Sequence, residues 1–268
     1  MCGICGFVGS GDLNYLNKML SHLQHRGPDA EGLWQSNDGV FLGHKRLSII
    51  DIKSGKQPMI SNDLSVAITF NGEIYNAPEL RKLLLLKGHT FRTHHSDTEV
   101  ILNGYLEWGE KIVEKLNGMW AFCLYDSSKN LLFLSRDRFG EKPLYYTYSN
   151  HRFVFASELR PIEHFPGFVS QTSNLALSKY LGHGYIPAPY SLLKGVFKLS
   201  AGTNLFFDTQ SHKMRLHRYW RFNLEPDPPG SKNQGFYREG LLSHLEDSVK
   251  LLLVSDVPIG TFLSGGID

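Results

Sequence analysis

Cys2 stands directly behind the initiator methionine in Met1-Cys2-Gly3-Ile4-Cys5-Gly6. Methionine before a small residue is commonly trimmed, and trimming makes Cys2 a residue that carries both a thiol and a free α-amine. Free thiols titrate near ~8.5 and α-amines near ~7.7 to 8, so the amine can take the proton of its own sulfur at neutral pH. An N-terminal nucleophile activated in this way performs acyl transfer without a histidine base. Two other readings stay open. Cys2 and Cys5 have the spacing of a dithiol redox pair or of half a zinc site, although no strand precedes them and Cys123 is the only other cysteine. Either of the last two thiols also suits a small buried hydrophobe.

Acyl transfer needs donors for a developing oxyanion. Asn71-Gly72 offers a side-chain amide and a backbone N–H at the end of the apolar run Ala67 to Phe70, with Glu73 next in line. The same Asn-Gly pair is the strongest short signal for a hairpin turn. Arg46, in Arg46-Leu-Ser-Ile-Ile-Asp51, is read as a lone cation at the start of an apolar strand. It suits either a surface ion pair or a two-pronged grip on a carboxylate. Asp97 is either a first-turn helix acid or an anion for an ammonium group. Together Arg46, Glu73 and Asp97 form a charge set that suits a zwitterionic amino acid.

The elements that must hold these residues follow from periodicity. Residues 3–9 read as a short strand, and Leu13, Leu16, Leu20 and Leu23 recur at helical spacing behind a candidate cap, Asp12. Val40–Leu42 and Leu64–Phe70 read as strands. Asn76 and Glu79 suggest a capping box for a helix that stops at Gly88. A second helix is expected over Thr98–Leu116, then strands at Trp120–Tyr125, Leu131–Ser135 and Leu144–Tyr148 with a turn over Asp126–Asn130. Strands clustered in pairs between helices point to an α+β domain with antiparallel sheets. The Pro- and Gly-rich stretch Arg221–Gly235 reads as a linker. Beyond it, Phe236–Val254 is an amphipathic helix with Leu241, Leu245, Val249 and Leu252 on one face, and Pro258–Leu263 is a strand leading to Ser264-Gly265-Gly266-Ile267-Asp268.

Composition narrows the setting. A net charge of +2 without a dense basic run argues against nucleic acid, and three cysteines cannot build a disulfide framework. The first 20 residues lack a signal-peptide apolar block, and Leu83–Leu86 is too short to cross a bilayer. A cytoplasmic protein without membrane association is expected.

Eight motifs stand in an order that resembles glutamine-hydrolysing asparagine synthetase and its relatives. They are MCGICG (Met1–Gly6), HRGPD (His25–Asp29), RLSIID (Arg46–Asp51), FNGEIYN (Phe70–Asn76), SDTEV (Ser96–Val100), GMWAF (Gly118–Phe122), SRDRFGEKPLYY (Ser135–Tyr146) and FASE (Phe155–Glu158). The resemblance implies an N-terminal glutaminase of the Ntn-hydrolase fold, a four-layer αββα sandwich, over residues 2–220. It also implies a linker at 221–235 and, at 236–268, the beginning of a truncated ATP-pyrophosphatase-like (PP-loop) α/β domain.

Carried over by position, the resemblance makes Cys2 the nucleophile and Asn71 and Gly72 the oxyanion hole. Arg46 takes the glutamine carboxylate, Glu73 and Asp97 its ammonium, and backbone around Ile49 completes the pocket. Cys5 becomes structural, and the His25–Asp29 and Arg136–Tyr145 stretches become architecture near the pocket and the domain interface. Leu263, Ser264, Gly265, Gly266 and Asp268 resemble a pyrophosphate-binding loop, whose glycine turn can cradle phosphate. The full-length enzyme is then expected to use ATP and Mg2+ to activate a carboxylate, with aspartate as acceptor. A carboxylate on a sugar or a secondary metabolite is the alternative, and a homodimer is compatible with the sequence. The glutaminase half-reaction needs no cofactor. A non-catalytic glutamine sensor would need a defective nucleophile or pocket, and all six pocket residues are present.

Overall fold

In the computed structural model, which describes residues 1–228, 230 and 232–266, strict alternation along the strands builds two stacked sheets. In β1 (Gly3–Val8), Ile4 and Val8 face a core between the sheets, whereas Cys5 and Phe7 face a helical layer. Successive side chains of a strand point to opposite faces, so one strand serves two cores. The first sheet runs β10 (Phe197–Lys198), β8 (Tyr145–Ser149), β9 (Arg152–Ala156), β1, β3 (Val40–Arg46), β2 (Ala30–Gln35). The second runs β12 (Met214–Arg218), β11 (Thr203–Asp208), β7 (Leu131–Arg136), β6 (Gly118–Asp126), β5 (Val66–Ile74), β4 (Met59–Ile60). Neighbouring strands pair antiparallel throughout.

Helix α1 (Leu13–Ser21) covers the outer face of the first sheet with Leu16, Met19 and Leu20, and Asp12 caps it by accepting the N–H groups of Asn14 and Tyr15. A short helix, α5 (Leu159–Glu163), adds Ile162 to the same layer. Helices α2 (Ala77–Leu86) and α3 (Asp97–Trp108) cover the second sheet through Leu80, Leu84, Val100 and Ile101. The layers are therefore helix, sheet, sheet, helix, the αββα sandwich expected. A further helix, α6 (Asn174–His183), buries only Ala176.

Several expectations need correction. The helix expected over Thr98–Leu116 breaks at Gly109, whose φ of 61° no helix tolerates. A 3-10 turn (Gly109–Lys111) and a single helical turn, α4 (Ile112–Lys115), follow. Asn76 makes no cap bond. Its side chain instead bridges Lys115 O and Asn117 N, where the loop before β6 offers unpaired groups. Arg46 closes a strand instead of starting one, because the chain leaves the sheet after it and turns the carbonyls of Ile50, Asp51 and Ile52 onto its guanidinium. The helix expected over Phe236–Val254 forms as α7 (Gln234–Leu252), but it buries none of its residues. Leu241, Leu245, Val249 and Leu252 are all exposed. No strand forms over Pro258–Leu263. A strand needs a neighbour to take its N–H and C=O groups, and this segment has none among the described residues.

Candidate active site

Strand parity decides which side chains meet. Cys2 precedes β1 in phase with inward-facing Ile4. Arg46 lies in phase with Val40 and Leu42 on β3, and Asn71 and Glu73 with Ala67 on β5. All four therefore point into the space between the sheets. There they line a cleft together with Ile49, Gly72, Asp97 and Lys142.

The Asn71-Gly72 pair is not a turn. β5 continues through Ile74, with Asn71 opposite Ala121 and Gly72 opposite Trp120 on β6. Glycine is required at 72 because a Cβ would stand 2.1 Å from Met119 O and 2.7 Å from the Phe70 ring. Phe70, the residue before Asn71, is braced from two sides. Gln57 Oε1 accepts the Phe70 N–H at 2.7 Å, and His44 Nε2 donates to Phe70 O at 3.1 Å across the sheets. Burial lowers the His44 pKa to about 3, so the ring is neutral. Asn71 is almost fully buried, yet its Nδ2 has no hydrogen-bond partner among the described residues. Buried donors are rarely left unpaired, and one on a residue that lines a cleft with a thiol can meet negative charge arriving from outside.

Cys2 Sγ receives the Leu47 N–H at 3.4 Å, and Arg26 Nε fixes the Cys2 carbonyl at 2.9 Å. Burial pushes the thiol pKa up despite the Leu47 bond and neighbouring cations, so the thiol is not a ready thiolate while Met1 precedes it. Met1 lies at the mouth of the cleft, with Sδ 3.7 Å from Lys142 Nζ. Cys5 and Cys123 are fully buried, and burial raises both pKa values. Cys5 faces the helical layer on the opposite side of β1 from Cys2, which removes the geometry a dithiol pair needs.

Arg46 is held by the loop that follows it. Nη1 donates to Ile52 O at 3.0 Å, and Nη2 to Ile50 O and Asp51 O at 3.0 and 2.7 Å. Across the cleft, Asp97 opens α3 and accepts the Ile74 N–H at 3.1 Å. Burial raises its pKa to about 7, the hydrogen bonds from Ile74 and Thr98 opposing the shift. Burial also raises Glu73, with Lys142 pulling it down. The cleft thus holds the Arg46 guanidinium, the Lys142 ammonium and two carboxylates, charges of both signs that suit a zwitterionic amino acid.

All six predicted pocket residues, with Ile49, meet in this cleft. The predicted nucleotide contacts do not join it: Leu263, Ser264, Gly265 and Gly266 are exposed, and Asp268 lies outside the described residues. Sequence reasoning missed Lys142, Gln57 and His44 as cleft-forming residues. Lys142 sits inside a quoted motif, but its direction depends on Asp137. That carboxylate accepts the N–H groups of Phe139, Glu141 and Lys142 and folds the loop toward the cleft. The HRGPD and FASE motifs also meet, since Arg26 and His25 both bond Glu158. Among the described residues no helix is long and apolar enough to cross a membrane, and no cluster of three or more His, Cys, Asp or Glu could hold a metal ion.

Comparison with known proteins agrees with this geometry. The glutamine amidotransferase domain family matches residues 1–220, and the asparagine synthase family matches residues 240–268. Asparagine synthetase [glutamine-hydrolyzing] 3 of Bacillus subtilis is 37% identical over 100% of this chain and 44% of its own length. A Methanocaldococcus jannaschii protein named as a candidate asparagine synthetase is 40% identical over 100% of this chain and 55% of its own. The chain spans about half the length of the curated relatives it matches. Among solved structures, glutamine phosphoribosylpyrophosphate amidotransferase from Bacillus subtilis superposes with a TM-score of 0.60 at 19% identity. That match covers 82% of this chain and 49% of the other, and it places the two-sheet core in the Ntn-type amidotransferase fold. The chain belongs to the glutamine amidotransferase domain family.

Proposed function

We propose that this amidotransferase-family chain is the glutamine-hydrolysing part of a glutamine-dependent asparagine synthetase, with residues 2–220 as glutaminase, 221–235 as linker and 236–268 as the start of an ATP-dependent domain. The observation that carries the glutaminase reading is the buried, unpartnered Nδ2 of Asn71, a residue that lines the same cleft as Cys2, Arg46, Glu73 and Asp97.

The chemistry follows from those positions. With Met1 removed, the Cys2 α-amine takes the thiol proton, and sulfur forms a bond to the glutamine carboxamide carbon. The carbonyl electron pair moves to oxygen, where Asn71 Nδ2 and the Gly72 N–H stabilise it. The ammonium then returns its proton to the amide nitrogen, the C–N bond breaks, and ammonia leaves a γ-glutamyl thioester. Water attacks the thioester, sulfur recovers the proton, and glutamate departs. Arg46 holds the substrate carboxylate, and Glu73 and Asp97 hold its ammonium.

In the whole protein, ammonia would amidate aspartate that ATP and Mg2+ have activated. The asparagine synthetase names of the relatives support that acceptor. Ser264-Gly265-Gly266 suits one edge of a phosphate site, since a glycine turn can present backbone N–H groups to an anion. A reducing, cytoplasmic setting fits three free thiols.

Incubating the 268-residue chain with glutamine, ATP, magnesium and aspartate tests the division of labour. The expected products are glutamate and ammonia, abolished in Cys2→Ala, with no aspartate-dependent pyrophosphate. Turnover that survives in Cys2→Ala would refute the glutaminase reading, and aspartate-dependent pyrophosphate would refute the domain boundaries.

A further inference from the structure

The segment that follows α7 reaches back and touches the cleft wall from outside. Asp256 donates its backbone N–H to Ile49 O at 3.0 Å and accepts the Asp51 N–H on Oδ2 at 2.9 Å. The same carboxylate meets His95 Nε2 at 2.8 and 2.9 Å. These partners flank the substrate-binding groups. The carbonyls of Ile50, Asp51 and Ile52 hold the Arg46 guanidinium, and His95 lies two residues before Asp97.

Asp51 ties the same two segments from within. Its Oδ1 accepts the Ser54 N–H and hydroxyl, and its Oδ2 accepts the His95 N–H at 3.1 Å. Asp51 has φ +48°, a conformation that a non-glycine residue holds only when its surroundings enforce it. The loop presenting Arg46 and the turn presenting Asp97 are therefore bridged by two acids in series. The outer acid comes from beyond the linker, in the stretch that the asparagine synthase family matches.

We propose that Asp256 is a positioning residue for glutamine. It fixes residues 49–51 against His95, so that Arg46 and Asp97 stand at the separation an amino-acid carboxylate and ammonium require. It acts through those two residues and does not touch the substrate, and it rests on the glutaminase reading above. Because Asp256 belongs to the ATP-side segment, the grip on glutamine is set partly by the domain that consumes the ammonia.

Steady-state kinetics on the full-length protein test this. In Asp256→Ala the glutamine KM is expected to rise about tenfold with kcat within about twofold, as loss of a charged hydrogen-bond acceptor would give. Asp256→Asn keeps an acceptor for the Asp51 N–H and should recover most of that affinity. Amidation of aspartate with ammonium chloride replacing glutamine should be unchanged in both variants. An unchanged glutamine KM in Asp256→Ala, or equal losses with glutamine and with ammonia in both variants, overturns the assignment. Wild-type protein that releases no glutamate overturns the glutaminase reading itself, which is a separate outcome.

Discussion

Replacing Asn71 with alanine separates a catalytic donor from a structural residue. The side chain is 1% exposed and its Nδ2 is unpaired among the described residues, so the resting protein carries the desolvation of an unused donor, about 1–3 kcal/mol. Alanine removes that cost and leaves a small void of comparable cost, while the backbone pairing with Ala121 persists. Net stability should move by no more than about 1 kcal/mol, or roughly 4 °C in Tm for a domain of this size. Catalysis should suffer far more. Loss of one oxyanion donor removes about 2.7–4 kcal/mol of transition-state stabilisation, hence a fall of roughly 10²- to 10³-fold in kcat. The glutamine KM should stay within about twofold, because the donor is needed only once charge develops on oxygen. Glutamate release and a thermal melt on the same preparation give both numbers. A kcat within tenfold of wild type would refute the oxyanion role. A large kcat loss accompanied by a fall of more than about 8 °C in Tm would show that Asn71 holds the fold.

Asp97, raised to about 7, should make glutamine binding release close to one proton per site near pH 6 and almost none at pH 8, because the substrate ammonium favours the carboxylate. Calorimetry of Cys2→Ala in buffers of different ionisation enthalpy reads this, and Asp97→Asn should abolish it. The same shift costs stability: between about pH 4, where the unfolded side chain has ionised, and about pH 7, the folded protein should weaken as pH rises, and Asp97→Asn should flatten that slope in urea titrations. Protein that retains Met1 should hydrolyse glutamine far more slowly than trimmed protein, as intact mass measured beside glutamate release will reveal; equal rates would rule out the α-amine as base. Arg46→Ala should weaken glutamine binding roughly ten- to a hundredfold by titration calorimetry, and unchanged affinity would remove Arg46 from the pocket.

Local chemistry was legible in the sequence wherever a single residue type leaves few options. Cys2, the Asn71-Gly72 pair and Arg46 were singled out by residue type and do line one cleft, and period-2 and period-3.6 patterns placed α1, β1, β6 and β7 within a residue or two. Short-range reasoning failed where a long-range partner sets the conformation. Asn71-Gly72 has the strongest local signal for a turn, yet pairing with Ala121 and Trp120 on β6 keeps it extended. Pro258–Leu263 has the pattern of a strand and forms none, because no neighbouring strand takes its backbone groups. Only the stacking of the sheets could bring Cys2, Arg46, Asn71 and Glu73 to one cleft. Sequence fixes which face of its own strand each side chain occupies, but the register between strands and the packing of sheet on sheet decide which faces meet, and both are set by burial of apolar surface spread over the whole domain.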